Sequence, residues 1–472
     1  MEAYIEDKKY LYTSIHEFLE ESEECNDDEF RKKTFEKLIK VIGSQQIEGD
    51  AEEMRQFLEI IKSIGEHHHR SQQFNERMSQ LLFHYKDQIR QTLLNSEIFH
   101  IFENNKKIVH FLIKKDIITV SEEISEYILY KIENNGKRYC HFFIPELEKI
   151  LSEEKMKIVK KELLKENPNI FTNYEEKREE GENDSYICSL IRQDSVEDFI
   201  THVNRYNISP LSQITPSIFE TNPFLIDNTN TSLIEYSAFF GSIQIFRYLL
   251  MNNAELTPSL WLYAIHSKNA ELIHLLESNE VPPPKSKRNK KEEKSNTNYE
   301  ECLIESIKCH HNDIADYIEN NFINQTEKDS EEKEEIISNC IKYHNYLHFQ
   351  KDIIIDHGFF YLSFYHYDQL FEHLLKFKEK LIEEKMIQYP DIRTASKNNE
   401  IEVIYHYLLK MQEISEGLFK DIKIKQIVIP SSVTSIGNSA FSECSSLTQI
   451  TIPSRIDRSN LSINPKATLN LC

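Results

Sequence analysis

A recurring spacing constrains this chain more than any other feature. Ser237, Ala264, Ser306 and Ala395 are each followed eight positions later by an aliphatic residue: Ile245, Leu272, Ile314 and Val403. A bulky pair closes each copy, Tyr248 and Leu249, Leu275 and Leu276, Tyr317 and Ile318, His406 and Tyr407. Self-similarity of this kind marks stacked helical units, none of which buries its apolar face alone. It predicts a mainly α, helical-repeat solenoid and points to a binding surface rather than a catalytic pocket.

The interval from Ser237 to Ala264 is 27 residues, and from Ala264 to Ser306 it is 42. The longer interval holds VPPPKSKRNKKEEKSNTN, a proline- and charge-rich insert (281–299) read as a mobile loop. Ser306 and Ala395 lie 89 residues apart, which leaves room for further units, with GFFYLSFYHYDQLFEHLLKF the obvious candidate. The acidic run from Glu327 to Glu335 reads as a solvated linker or a helix start.

Length fits this reading. At 472 residues the chain is too long for one hydrophobic core, and a solenoid grows in one dimension instead. Only 9 glycines and 13 prolines argue against a turn-dense β-architecture. The net charge of -22 repels phosphate backbones and anionic membranes, so no nucleic-acid partner is expected. Eight cysteines without a CxxC pair read as reduced intracellular thiols. The acidic N-terminus is unlike a secretory signal, and no apolar run reaches the roughly 18 residues of a membrane helix. The expected location is cytoplasmic, without membrane insertion.

Upstream, residues 3–42 read as two amphipathic helices, striped by Ile15, Phe18 and Leu19, then by Phe30, Leu38, Ile39 and Ile42. Met54, Phe57, Leu58 and Ile61 mark a third helix; Phe74, Met78, Leu81, Leu82 and Tyr85 mark a fourth. The repeat rhythm starts near residue 97, where KKIVHFLI and KRYCHFFI recur 31 residues apart, from Lys106 to Lys137. Residues 166–184 are polar and read as a loop. Near the C-terminus the grammar changes: Ile427 and Ile429 recur as Ile450 and Ile452, 23 residues on, a leucine-rich-repeat period. The expected domains are therefore a helical region at 1–96, helical repeats at 97–410, and a leucine-rich-repeat remnant with tail at 411–472.

These blocks carry two resemblances. HHHRSQQF, NSEIFHIF, ENDSYICSLIR, SLIEYSAFFGSIQIF, LTPSLWLYAIHSKN and ECLIESIKCHHNDIADYI resemble the trichomonad-type ankyrin domain of unknown function over about residues 67–321. The SVTSIG, AF and CSSLT motifs within 427–454 resemble a BspA-type leucine-rich repeat, with one full copy and the start of another. The first resemblance implies ankyrin-like helix pairs and protein–protein binding, with no assigned catalytic residue. The usual ankyrin TPLH turn is degraded here to Ser232-Leu233-Ile234-Glu235.

Candidate sites follow from the repeat register. The column Phe239, His266, Lys308 and Lys397 is polar in every copy but one, so an exposed Phe239 beside it is a partner-contact hypothesis, set against packing beneath a neighbouring loop. Trp261 aligns with Ile234 and Leu303 and is expected in the core. His67, His68 and His69 lack the converging partners a metal needs and read as a polar helix end. Cys309, His310 and His311, with Cys302, align with the Phe240-Gly241-Ser242 turn and read as turn residues. The run from Lys287 to Lys291 reads as a solvated linker, with nuclear import as the alternative. No GxxxxGKS/T, GxGxxG, GxSxG or HExxH motif occurs, and neither enzymatic activity nor a cofactor or metal is expected. The leading reading is a non-enzymatic protein-interaction scaffold. A surface or adhesive protein built on the BspA-like segment is the runner-up.

Overall fold

A helix that must reverse direction within two residues needs one backbone in the left-handed region. In the computed structural model that residue recurs in register: Asp194 (φ 48°), Gly241 (φ 71°), Lys268 (φ 54°) and His310 (φ 59°). Three of these turns also carry the closing bond of a Schellman motif, donated by Ser195 to Leu190, Ser242 to Ser237 and His311 to Ser306 at 2.9–3.1 Å. The structure describes residues 2–348 except 21–27, 45–46, 48, 68–71, 134–136, 286–298 and 324–329. It also describes isolated residues between 361 and 390, residues 391–456 except 398–400, 421, 423, 431 and 454–455, and residues 467–471.

The chain divides into two compact units, Tyr10–Glu327 with Tyr343–Leu347, and Met1–Lys9 with Lys328–Lys342 and His348–Cys472. In the first, four helix pairs follow one another: Tyr186–Arg192 with Val196–Tyr206, Leu233–Phe240 with Ile243–Met251, Leu260–Ser267 with Ala270–Ser278, and Glu300–Lys308 with Asn312–Phe322. The first helices of successive pairs lie side by side in chain order. Ser237, Ala264 and Ser306 are fully buried where those helices meet. Their small side chains permit the close approach, which is why a small residue recurs at that step. Ile245, Leu272 and Ile314, eight positions on, are buried in the second helices, as are Leu249, Leu276 and Ile318.

Each turn also reaches back to the preceding pair. Ser242 Oγ donates to the Ile191 carbonyl at 2.5 Å. Asn269 Nδ2 donates to Gly241 O at 3.3 Å, and His311 Nδ1 lies 2.8 Å from Ile265 O. The degraded TPLH turn has become a capping box, with Ser232 N–H donating to Glu235 at 2.8 Å and Glu235 N–H donating to Ser232 Oγ at 3.3 Å. The other Glu235 oxygen accepts from Ser259 at 2.6 Å, tying this cap to the next pair.

The mainly α reading is borne out, and Trp261 is fully buried, as expected, with its Nε1–H donating to Val281 O at 2.8 Å. Among the N-terminal stripes Ile15, Phe18, Leu19, Leu38, Ile42, Met54, Phe57, Leu58 and Ile61 are buried, but Phe30 is exposed. Two further expectations fail. KRYCHFFI does not repeat the Lys106–Lys114 helix; it forms a bridge from Ile132 to Arg138, a 3-10 turn over Tyr139–His141, and only then the short Ile144–Leu147 helix. Pro145 falls in the first turn of that helix, where its missing amide proton costs no helical bond. The segment 166–184 is not a plain loop, because it contains the Tyr174–Glu180 helix between left-handed Asn173 and Gly181.

In the second unit Ile392–Lys397 and Ile401–Leu409 form a further helix pair. Ala395 and Val403 are buried as the register requires, but Leu408 takes the core position expected of Tyr407. Beyond it the predicted 23-residue step becomes a parallel ladder, with Ile427 opposite Ile450. A third strand, Thr468–Leu471, continues that ladder, so the repeat extends past the expected end at 454. Tyr405 Oη accepts from Val428 N–H at 2.8 Å and docks the ladder on the last helix. Lys287–Lys291 and most of the 358–377 candidate unit lie outside the described residues.

Candidate functional site

The structure gathers three residues of the predicted column into one cluster but does not expose them together. Phe239 is only 5% exposed and His266 2%, so the exposed-phenylalanine hypothesis is corrected. The cause is the short Pro223–Asp227 helix, which lays Phe224 over both. Its ring stacks on Phe239 at 5.8 Å and lies 4.1 Å from the His266 ring. Sequence reasoning anticipated cover from a neighbouring segment as the alternative. Lys308 is half-buried, with its ammonium 5.9 Å from the Phe224 ring and 6.0 Å from the Tyr343 ring. Lys397 is exposed and belongs to the other unit.

The cluster is held by a carboxylate that the sequence reading missed. Glu305 Oε1 lies 2.7 Å from His266 Nε2 and 3.1 Å from Lys308 Nζ. Burial alone would raise the Glu305 carboxyl, but the Lys308 ammonium and the His266 hydrogen bond more than offset it, and the carboxylate is held well below its usual range. Burial would likewise deprotonate Lys308, and Glu305 reverses that. Burial holds the His266 imidazole below its ordinary value, outweighing the pull of Glu305. Cys309 Sγ stands 3.5 Å from both nitrogens of the same ring. His266, Glu305 and Cys309 thus bring three ligand-type atoms within 4.8 Å of one another. Glu305 and Cys309 are four apart, one helical turn, which was the available sequence signal.

His67 ends the Ala51–His67 helix, as the sequence suggests. It is buried, meets Tyr343 edge-on at 5.3 Å, and is held neutral by burial and by the nearby Lys308 charge. Its Nδ1 has no hydrogen-bond partner. His68 and His69 lie outside the described residues.

His310 and His311 form a turn, as expected, and Cys302 is buried on the helix leading to it. His310 does more than turn the chain. Its Nδ1 lies 2.8 Å from Tyr12 Oη and its Nε2 lies 3.1 Å from Ser63 Oγ. This buried hydroxyl–imidazole–hydroxyl arrangement looks nucleophilic, but Ser63 donates its proton to Tyr343 O at 2.6 Å. The group is a clamp that joins the Glu2–Glu20 helix, the Ala51–His67 helix and the 343–347 segment to the fourth pair.

An exposed aromatic ladder lies elsewhere on the stack. Tyr186 and Tyr206 are 59% and 60% exposed and flank His202, with ring centroids at 5.1 and 4.8 Å. The Arg205 guanidinium sits 5.6 Å from the Tyr206 ring. Phe199 and Val203 form the buried stripe of this helix; Tyr206, seven residues after Phe199 and so on nearly the same face, is exposed at the helix's last residue. Periodicity alone would place Tyr206 in the core, so its exposure was not readable in the sequence.

Among known proteins, the family described as BspA type leucine rich repeat region (6 copies) matches residues 412–463. The match supports the C-terminal repeat and extends it on both sides of 427–454, while no ankyrin-repeat family is detected. No curated protein and no solved structure matches the chain. Among the described residues no helix is long and apolar enough to cross a membrane.

Proposed function

We propose that this chain is a non-enzymatic, protein-binding scaffold or adaptor, in which ankyrin-like helix pairs present side chains on a rigid stack. One observation carries the reading: short helix pairs stacked in chain order, with an aromatic ladder left on the surface of the first. Repeat stacks gain stability from neighbour contacts, and their outer residues are left for recognition. Tyrosine and arginine dominate interface energetics, because each offers large contact area and a polar tip. Tyr186, Tyr206 and Arg205 therefore replace the Phe239 column as the partner-contact set, with Lys397 as a separate exposed residue.

The test compares the full chain with the Tyr186→Ser/Tyr206→Ser variant in cross-linking with mass spectrometry. At least a tenfold loss of one saturable cross-linked protein is expected, at unchanged helical content. Equal capture by both chains, or no saturable partner, contradicts the proposal. A second reading, a surface or adhesive protein, draws support from the BspA-type match at 412–463. Surface labelling of intact cells separates the two, since an intracellular adaptor stays unlabelled.

A further inference from the structure

We propose that His266, Glu305 and Cys309 bind a zinc ion that staples the third helix pair to the fourth. His266 lies on the Leu260–Ser267 helix, while Glu305 lies on Glu300–Lys308 and Cys309 caps that helix. A metal here therefore bridges two units that already meet through apolar contact and the His266–Glu305, His311–Ile265 and Tyr317–Glu277 bonds.

The chemistry of the set selects the ion. A thiolate, an imidazole and a carboxylate suit zinc and disfavour magnesium and calcium, which take oxygen ligands. Three protein ligands leave a fourth position for water. With zinc–sulfur and zinc–nitrogen bonds of about 2.3 and 2.05 Å, tetrahedral ligands stand roughly 3.6 Å apart. Cys309 Sγ is 3.5 Å from Nε2 of His266, but its equal distance from Nδ1 places it over the ring face. The thiol must therefore swing about Cα–Cβ to share an ion with the in-plane lone pair of Nε2. The nitrogen–oxygen pair, now hydrogen-bonded at 2.7 Å, must open to roughly 3.3 Å, a shift a glutamate side chain makes by rotation.

Lys308 opposes the ion, since it already neutralises Glu305. A carboxylate has two oxygens, however, and one can keep the ammonium while the other turns to the metal. Binding deprotonates the Cys309 thiol and releases that proton to solvent, and the imidazole shifts tautomer, its proton moving from Nε2 to Nδ1, so that Nε2 can take the ion. The unpartnered Nδ1 of buried His67 is a separate sign that polar demand around this cluster is unmet.

The experiment uses the full chain, dialysed against buffered zinc and then against a weak chelator. One zinc per chain is expected to remain. Cys309→Ser and His266→Asn are each expected to weaken zinc retention at least tenfold, whereas Cys302→Ser, on the same helix, leaves it unchanged. Cobalt added to the unmodified chain is expected to give a thiolate-to-cobalt charge-transfer band that Cys309→Ser abolishes. Circular dichroism checks that each variant is folded, and the cobalt spectrum of the unmodified chain decides the matter if a variant is not. Loss of all zinc to the chelator, a cobalt spectrum without the thiolate band, or equal retention by the folded Cys309→Ser variant overturns the proposal.

Discussion

Among the described residues Arg178 is one of the largest fully buried side chains, at 1% exposed, in a stretch whose composition gives no hint of a core. Its Nη2 donates to both oxygens of Glu146 at 2.8 and 2.7 Å and lies 3.1 Å from His110 Nδ1, while its plane covers Phe142 at 5.2 Å. Burial would raise the Glu146 carboxyl, but the His110 hydrogen bond and the Arg178 charge outweigh it and hold the group below its ordinary value. Its contribution to stability is thus complete above about pH 4.3, the unfolded value, and is lost as pH falls through the folded value. Arg178→Met leaves that carboxylate buried with His110 but without its cation, at a cost of about 3–5 kcal/mol in urea unfolding at pH 7. The double variant Arg178→Met/Glu146→Leu is expected to recover most of the loss and to lose less stability on acidification. Equal destabilisation by the single and double variants counts against a coupled pair.

At the scale of elements, Gly437 is the position where the C-terminal ladder has no slack. A Cβ there would stand 2.6 Å from the Glu416 amide nitrogen, a backbone atom that cannot step aside. Gly437→Ala is expected to unravel the local pairing of Glu413–Ile414 with Ser435–Ile436, read as faster amide exchange in both segments. Unchanged exchange there refutes the steric argument. Such elements also show what the sequence could convey. The 27- and 42-residue steps reported helix pairs correctly because each pair buries the same columns, and the 23-residue step reported strand pairing for the same reason. The Tyr174–Glu180 helix stayed hidden because only Tyr174 and Arg178 of it are buried, and one of those is charged. The site stayed half-legible. Phe239, His266 and Lys308 were found by register, but Phe224, which covers them, and Glu305, which pairs them, come from segments the register does not weigh.

For the whole molecule, the question is how far damage at one repeat travels. Trp261 fills the space between the third and fourth pairs, bonded to Val281 O and edge-on to Tyr299 at 5.2 Å. Trp261→Ala leaves a cavity costing about 3–5 kcal/mol. In a stack stabilised by neighbour terms, that cost falls on the adjoining interfaces before it reaches distant ones. Hydrogen exchange should therefore quicken most in Leu260–Ser267 and Glu300–Lys308, less in Leu233–Phe240, and least in Lys106–Lys114. The order matters more than the size, because a single cooperative core would lose protection evenly across all four helices. An even loss would show that the repeats are tied together by more than nearest-neighbour packing, and the His310 clamp joining the N-terminal helices to the fourth pair would then be the first place to look for the extra coupling.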